Sequence, residues 1–223
     1  MAEKPSPSEV GPGIWRVVNR LFPSNTYICT TGEPRGCLLV DPGTDPVGID
    51  ELLVRLGMEP RHVFCTHGHF DHAGGAAFFQ QRYGASCYLH EADQMTLGRA
   101  KFVMTAFKIP FAMELPQVTG MGGAPNRIGG RTLTVLHAPG HTPGSCLIQY
   151  GHALFSGDTL FSHGVGLSRL PGEDPKKLRT TLLKLWGQIA DDALVCPGHG
   201  DCSPFSSIRK QNTRLLRFLG MTE

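Results

Sequence analysis

The hydrophobic and polar positions of this 223-residue chain follow two different periods. Apolar or alternating runs predict strands, because successive side chains of a strand point to opposite faces, and the Gly, Pro, Asn and Asp residues between the runs predict turns. Such runs predict strands at residues 14–18, 24–30, 36–43, 62–65, 86–89, 132–138, 145–150, 153–158 and 193–196.

Apolar residues three or four positions apart predict helices between several of these strands. Helices are predicted at residues 46–56 and 73–83, each followed by a glycine that is typical of a helix end. A third helix is predicted to begin at Asp174, and a closing helix is predicted at residues 205–219. This mixture of strands and helices is typical of a layered α/β fold.

The periodicity weakens between residues 92 and 125, where we predict an insertion made of helix and loop. Its methionine and phenylalanine side chains have two interpretations. They can cover the core, or they can form a pliable apolar wall over a substrate pocket. These side chains are Met95, Met104, Met113, Met121, Phe102, Phe107 and Phe111.

No repeat, linker or charge block divides the chain, so we expect a single domain over residues 10–220 and a flexible N-terminus at residues 1–9. The N-terminal residues lack the apolar core and cleavage site of an export signal, and no apolar stretch is long enough to cross a membrane. These features predict a cytoplasmic protein.

The composition excludes some classes of function and suggests another. Charged residues make up 18% of the chain, the formal net charge is +2 and aromatic residues make up 8%, which does not indicate a nucleic-acid groove or a membrane-binding surface. The 7 cysteines include no C-x-x-C pair, which disfavours a disulfide framework or a cysteine-only zinc site. The 28 glycines, 17 prolines and 10 histidines indicate many tight turns and enough imidazole to bind metal.

The histidines concentrate first at the turn after the predicted strand at residues 62–65. His67, His69, Asp71 and His72 lie within six residues there. On a loop that turns into a helix, the first two can face one metal ion while the last two face another. Imidazole and carboxylate together favour a first-row transition metal. The alternative is a polar loop in which Asp71 only caps the following helix.

Three other predicted strands end in the same way, with a histidine or an aspartate beside glycine. His141 follows Gly140, Asp158 follows Gly157, and His199 lies between two glycines. Each could be a turn cap or a solvated side chain. Because all of them occupy strand ends, where rigid strands fix the backbone and loops present the side chains, we expect them to converge with the first cluster.

The run from Thr66 to His72, followed in order by His141, Asp158 and His199, resembles the metallo-β-lactamase superfamily. The resemblance implies an α/β fold, a four-layer αβ/βα sandwich of two mixed β-sheets flanked by helices, with a dinuclear metal site at the edge between the sheets. It implies that one metal is bound by His67, His69 and His141, that the other is bound by Asp71, His72 and His199, and that Asp158 bridges the two.

Within that superfamily, the segments at residues 157–161, 164–166 and 170–172 are similar to short, single-domain relatives of glyoxalase II, the hydroxyacylglutathione hydrolases. That branch commonly has Arg and Asp where this chain has Leu167 and Arg169. The resemblance implies a small-molecule substrate, either a glutathione thioester or another acyl thioester, and neither a nucleic acid nor a membrane as partner.

The resemblance also implies the reaction. Two divalent ions, zinc or alternatively iron or manganese, would hold a bridging hydroxide that attacks a thioester or an ester. Asp71 and Asp158 are the predicted catalytic residues, and His163 and Arg169, which follow Asp158 in the chain, are predicted to contact substrate. A thiol departs readily as a thiolate because its reference pKa is about 8.5. The alternatives are a mononuclear iron dioxygenase acting on a persulfide, a lactonase, and a purely structural metal site.

Overall fold

Two β-sheets form the centre of the molecule in the computed structural model, which describes residues 7–168 and 170–221. The first sheet has seven strands in sequence order, of which the first four are antiparallel and the later ones join in parallel. They are β1 (Ser8–Gly11), β2 (Ile14–Val18), β3 (Asn25–Thr30), β4 (Gly36–Val40), β5 (Glu59–Phe64), β6 (Ser86–Leu89) and β7 (Val118–Gly120).

The second sheet has six strands and is also mixed, because its β11–β12 pair is parallel and its other pairs are antiparallel. Its spatial order runs β13-β12-β11-β10-β9-β8. The strands are β8 (Arg127–Ile128), β9 (Arg131–His137), β10 (Cys146–Tyr150), β11 (Ala153–Gly157), β12 (Leu194–Pro197) and β13 (Ser203–Pro204).

Helices cover the outer faces of both sheets. None of those in the described part of the chain is long and apolar enough to cross a membrane. They are α1 (Pro46–Leu56), α2 (Phe70–Ala73), α3 (Ala76–Tyr83), α4 (Gln94–Ala106), α5 (Pro175–Leu185), α6 (Phe205–Gln211) and α7 (Thr213–Leu219).

The hydrophobic core has three parts, which separate four layers. Strand β4 shows why: Leu38 and Val40 point toward the second sheet, whereas Leu39 points toward α1 and α3, and all three are fully buried. A third cluster packs α5, α6 and α7 against the far face of the second sheet. The predicted four-layer sandwich of two mixed sheets is therefore confirmed.

Two helices differ from their predicted bounds. The helix predicted at residues 73–83 is interrupted at Gly74 and Gly75, which separate α2 from α3. These glycines lie close to the loop after β4, since a Cβ on Gly74 would come within 2.9 Å of the Gly43 carbonyl oxygen. The closing helix predicted at residues 205–219 is interrupted at Asn212. The Asn212 side chain accepts a hydrogen bond from the Leu215 amide (3.1 Å) and so caps α7.

Some short strands were not predicted. No strand was predicted before residue 14, yet β1 is present and pairs with β2. The insertion at residues 92–125 contains the expected helix, α4, but it also contributes β7 to the edge of the first sheet, next to β6. Strands β8 and β13 have only two residues each, which is too short for an alternating pattern to reveal them.

Candidate metal centre

The first histidine cluster lies at the turn between β5 and α2. His67 is fully buried just beyond the end of β5, and His69 has the extended conformation of a residue that precedes a helix (φ −69°, ψ 150°). Asp71 and His72 then lie in the single turn of α2, both buried. The loop-to-helix turn predicted for this run is therefore present.

The second sheet contributes three side chains at the same edge of the molecule. His141 lies in the loop between β9 and β10, Asp158 comes directly after β11, and His199 follows β12 by two residues. Because β11 and β12 are parallel neighbours, their ends lie side by side. The structure thus brings all seven side chains that were predicted as metal ligands into one cluster.

Three imidazoles meet in one part of the cluster. The Nδ1 atom of His69 lies 3.1 Å from Nε2 of His67 and 3.1 Å from Nε2 of His141. In the other part, the Oδ2 atom of Asp71 lies 3.2 Å from Nε2 of His199 and 3.4 Å from Nε2 of His72. Each set of three offers atoms that one ion can bind at the same time.

Asp158 lies between these two sets. Its Oδ1 atom is 3.4 Å from Nε2 of His72, and its Oδ2 atom is 3.6 Å from Nε2 of both His141 and His199. One carboxylate therefore reaches both sets of three, which is the geometry that a bridging ligand requires.

Neighbouring acceptors fix which nitrogen of each ring carries a proton. The Nδ1 atom of His141 lies 3.2 Å from the Gly166 carbonyl oxygen, and that of His199 lies 2.6 Å from the Pro23 carbonyl oxygen. A carbonyl oxygen can only accept, so Nδ1 carries the proton in both rings and donates it. The Nε2 lone pair of each ring is left directed into the cluster.

Asp41 likewise fixes which nitrogen donates in the two fully buried rings of the first cluster, His67 and His72. Its Oδ2 atom lies 2.9 Å from Nδ1 of His72 and accepts the Thr66 hydroxyl (2.7 Å), and its Oδ1 atom accepts the Thr66 amide (2.7 Å). Since the Thr66 hydroxyl donates to Asp41, it is left to accept from Nδ1 of His67, 3.1 Å away. Nδ1 is therefore the proton donor in these rings too, and the Nε2 atoms of His67 and His72 are the ones that a metal ion can bind.

The sequence analysis assigned no role to Asp41 or to Thr66. The local signal was an aspartate directly after a buried strand, before Pro-Gly. Asp41 is 1% exposed and has a φ of 52°, a left-handed conformation that aspartate tolerates better than most residues. Its carboxylate could be recognised as a partner of His72 only once the fold had brought β4 beside β5.

Asp93 is a second residue that sequence reasoning missed. It is fully buried at the start of α4, where its carboxylate accepts hydrogen bonds from the Gly68 amide (2.7 Å), the Gly144 amide (2.8 Å) and the Thr142 hydroxyl (2.7 Å). One side chain thereby ties the loop that carries His67 and His69 to the loop that carries His141. An aspartate at a helix start carries no local signal of such a role.

Gly198 allows the cluster to be this compact. A Cβ at this position would lie 2.3 Å from Oδ1 of Asp158 and 2.4 Å from Cε1 of His72, distances that no side chain can tolerate. The glycine before His199 is therefore required by close approach.

The electrostatics of the cluster keep some imidazoles neutral and one carboxylate ionised. Burial, together with the neighbouring histidines, lowers the pKa of His69 to about 3 and that of His67 well below its usual value. Burial alone would raise the pKa of Asp71, but the charges and hydrogen bonds of His72 and His199 outweigh it and hold that pKa far below the ordinary range. Neutral imidazole and ionised carboxylate are the forms that bind metal ions.

Two buried polar atoms in the cluster lack a hydrogen-bond partner among the described residues, Nε2 of His72 and Oδ1 of Asp158. Leaving such atoms unsatisfied is costly, and in native proteins a bound ion or water often explains them. The two atoms lie 3.4 Å apart. This arrangement, together with the imidazole and carboxylate donor set, fits divalent metal ions.

A cavity of about 290 Å³ opens over the cluster. Side chains of His69, Asp71, His141, Asp158 and His199 form its floor. Phe22, Phe70, Val165, Leu167 and Leu170 are among the residues that form its sides.

The two predicted substrate contacts have different outcomes. His163 is exposed and does not line this cavity. It lies near Asp201, whose pKa is lowered mainly by Arg16 and to a smaller extent by His163. Arg169 lies outside the described residues. A substrate contact by either residue stays a prediction.

Comparisons with known proteins agree on the family. The family model described as the metallo-β-lactamase superfamily matches residues 19–199. The chain is 35% identical over 179 residues to a hydroxyacylglutathione hydrolase of Anaeromyxobacter dehalogenans, covering 80% of this chain and 62% of that protein. It is 28% identical to the probable metallo-hydrolase YqgX of Bacillus subtilis, covering 87% of this chain and 93% of that protein.

Among solved structures, TTHA1623 in a di-iron-bound form superimposes with a TM-score of 0.76 at 31% sequence identity. The match covers 93% of this chain and 98% of that one.

Proposed function

The chain belongs to the metallo-β-lactamase superfamily, whose members are generally hydrolytic enzymes that bind divalent metals, and from this premise we propose that it hydrolyses a thioester or an ester. The observation that carries the proposal is the pair of unsatisfied buried atoms, Nε2 of His72 and Oδ1 of Asp158, next to an open cavity that Asp158 lines. A site built only for stability would have no need of that opening.

In this proposal His67, His69 and His141 hold one metal ion, and Asp71, His72 and His199 hold a second, with Asp158 shared between them. The distances within each set of three and the position of Asp158 between the sets support this division. Two ions bound there, most simply zinc, would supply a hydroxide nucleophile at neutral pH and would polarise the carbonyl group of the substrate.

The residues of the chain then orient the reactants. The ionised carboxylate of Asp71 lies at the cavity floor, where it can accept a hydrogen bond from the attacking water and aim its lone pair at the substrate. The carbonyl acceptors behind His141 and His199, and the carboxylate of Asp41 behind His72, hold the rings in the tautomers that keep Nε2 available.

A thioester suits this site better than an amide. A thiol with a reference pKa of about 8.5 departs as a thiolate, so the reaction needs no strong acid on the leaving-group side. The cavity over the cluster offers no such acid beyond the proposed metal ligands, since its other described lining residues are apolar apart from Ser168 and Gly166. The similarity to a hydroxyacylglutathione hydrolase supports the same reaction class.

The test combines metal analysis of the purified protein with hydrolysis assays on S-lactoylglutathione, simple acyl thioesters and esters. We expect about two divalent ions per chain, and we expect Asp158→Ala to lose at least about a hundredfold in kcat/KM because the residue touches both sets of ligands. Asp192→Ala is the matched control, since Asp192 is exposed and distant from the cavity lining.

Two results would overturn the proposal. Unchanged turnover in a folded Asp158→Ala variant would remove the metal cluster from the reaction. One iron per chain, with oxygen consumed on glutathione persulfide and no thioester hydrolysed, would replace the hydrolase with a dioxygenase.

A further inference from the structure

We propose that a second cavity beside the metal cluster binds the acyl group of the substrate, and that this group is an apolar chain of medium length. The inference rests on the proposed thioester or ester hydrolysis and names the class of substrate. It is carried by the position, the lining and the exposed apolar side chains of the cavity.

The second cavity has a volume of about 520 Å³, within the range of small-molecule sites in proteins. It lies between α4 and the segment at residues 170–172. Three residues, His69, Phe70 and Leu170, line both this cavity and the one over the metal cluster. A group whose carbonyl carbon lies over the cluster can therefore extend directly into the second cavity.

The wall formed by α4 is apolar and is left open. Met95 and Phe102 lie seven residues apart on one helical face and are 63% and 77% exposed, although burying such side chains is favourable. Val103 lies on the same face and is half-buried. Of the two interpretations of this segment, the apolar wall over a substrate pocket accounts for these three side chains.

The lining outside α4 includes Phe70, Leu170 and two prolines, Pro143 and Pro171. These side chains lose little conformational entropy when a ligand covers them, because they are short or cyclic. An apolar group can therefore fill the space between these side chains and α4 with little loss of side-chain conformational entropy.

The charges of the lining exclude the carrier half of a thioester. Glutathione carries carboxylates and nucleotide carriers carry phosphates, whereas the described lining has one permanently charged side chain, Arg99. Arg99 is exposed, so its guanidinium can stay hydrated while an apolar chain lies below it. The described lining contains no carboxylate, so the cavity does not suit a cationic group either.

The first experiment measures kcat/KM of the metal-loaded enzyme on a series of glutathione thioesters from acetyl to octanoyl. We expect kcat/KM to rise by up to about fourfold for each added methylene that enters the cavity. Ala92→Trp narrows the cavity from an exposed lining position, so the ratio of kcat/KM on the octanoyl thioester to kcat/KM on the acetyl thioester should fall by at least about tenfold.

Ala106→Trp is the matched control. Ala106 is also exposed and belongs to α4, but it does not line the cavity. It should keep the full dependence on chain length. The acyl site would be refuted if kcat/KM of the wild type did not depend on chain length, or if the two tryptophan variants changed that dependence equally. Either result would leave hydrolysis of the acetyl thioester in place.

The second experiment measures binding without turnover, by calorimetry with S-methyl, S-butyl and S-octyl glutathione thioethers. Affinity that increases with chain length in the wild type and in Ala106→Trp, but not in Ala92→Trp, supports the apolar site even if no thioester is hydrolysed. Chain-length-dependent binding without any hydrolysis would reject the proposed reaction and leave the acyl site in place. Affinity that is independent of chain length would reject the acyl site alone.

Discussion

At the scale of single residues, the chemistry of the site depends on which nitrogen of each histidine is protonated. An imidazole can bind a metal ion only through a nitrogen without a proton, and the acceptors behind His72, His141 and His199 place the proton on the far nitrogen. Asp41 is the acceptor with the most partners, since it orients His72 directly and His67 through the Thr66 hydroxyl.

Asp41→Asn tests this role. The amide can present a donor where His72 also donates, so the His72 ring is no longer held in its metal-binding tautomer, and we expect metal affinity to fall by about ten- to a hundredfold. Competition with a chelator of known affinity measures the change. Asp192→Asn, at an exposed position, is the matched control, and equal affinities in the two variants would contradict the prediction.

Gly198→Ala tests the close approach at the cluster. The new Cβ would overlap Asp158 and His72, so we expect the free energy of unfolding to fall by about 1–3 kcal/mol together with a large loss of activity. Chemical denaturation and kcat/KM measure the two effects. Gly187→Ala is the control, because a Cβ there meets no atom within 4 Å. An active, fully stable Gly198→Ala enzyme would show that the cluster can expand.

The residues of the candidate site were predictable to different degrees. All seven clustered side chains could be found from the sequence, because four of them lie within six residues after one strand and the other three lie at strand ends beside glycine. Asp41 and Asp93 could not be assigned in this way. Their importance depends on burial and on hydrogen-bond partners that are distant in the chain, and an isolated aspartate gives no sign of either.

At the scale of secondary structure elements, short loops held by side chains decide where the clustered residues lie. Asp93 connects the loop after β5 with the loop after β9 through its bonds to Gly68, Gly144 and Thr142. The start of α4 thus supports both sides of the first set of histidines, even though the helix itself contributes no residue to the cluster.

Asp93→Ala should therefore affect both stability and the metal centre. It leaves three buried donors without their acceptor, each costing about 1–3 kcal/mol, so we expect unfolding to become easier by about 3 kcal/mol or more. Metal content should fall in the same variant. Thermal denaturation and metal analysis measure these effects, with Asp192→Ala as the control. Loss of stability with full metal content would limit Asp93 to a structural role.

The elements were predicted well where the pattern was local. Strands such as β2 and β6 and the helix α1 occupy their predicted residues, because their apolar spacing and flanking turn residues suffice to define them. The breaks at Gly74 and Asn212 were missed, since they arise from close packing against the loop after β4 and from a side-chain cap. The packing at Gly74 belongs to tertiary structure, and at Asn212 so do the hydrogen bonds that its side-chain amide donates to the Phe161 and Gly164 carbonyl oxygens.

At the scale of the whole molecule, the cluster lies where the two sheets meet. His67, His69, Asp71 and His72 follow a strand of the first sheet, whereas His141, Asp158 and His199 follow strands of the second. Any ion bound by His67, His69 and His141 is therefore held from both sheets at once, and so is an ion bound by Asp71, His72 and His199.

Removal of metal should accordingly destabilise the entire molecule. An ion present at a thousand times its dissociation constant adds about 4 kcal/mol to the stability of the native state. For a protein of this size that corresponds to a fall in Tm of about 10 °C when a chelator strips the site. Thermal denaturation before and after chelation measures this shift, and added zinc should restore it. An unchanged Tm in protein proven metal-free would contradict the prediction.

The position of the cluster between the sheets has a further consequence for how the molecule moves. Without ions, each sheet keeps its own hydrogen bonds and its own covering helices, but its loops at the shared edge are joined by side chains such as Asp93 and by a few backbone hydrogen bonds, such as that from the Cys146 amide to the Thr66 carbonyl oxygen. Amide hydrogen exchange should then accelerate first in residues 66–72 and 139–145, which lie on the two sides of the shared edge, while β4 and β11 stay protected. In this molecule the ions would hold the two sheets together in addition to taking part in the reaction.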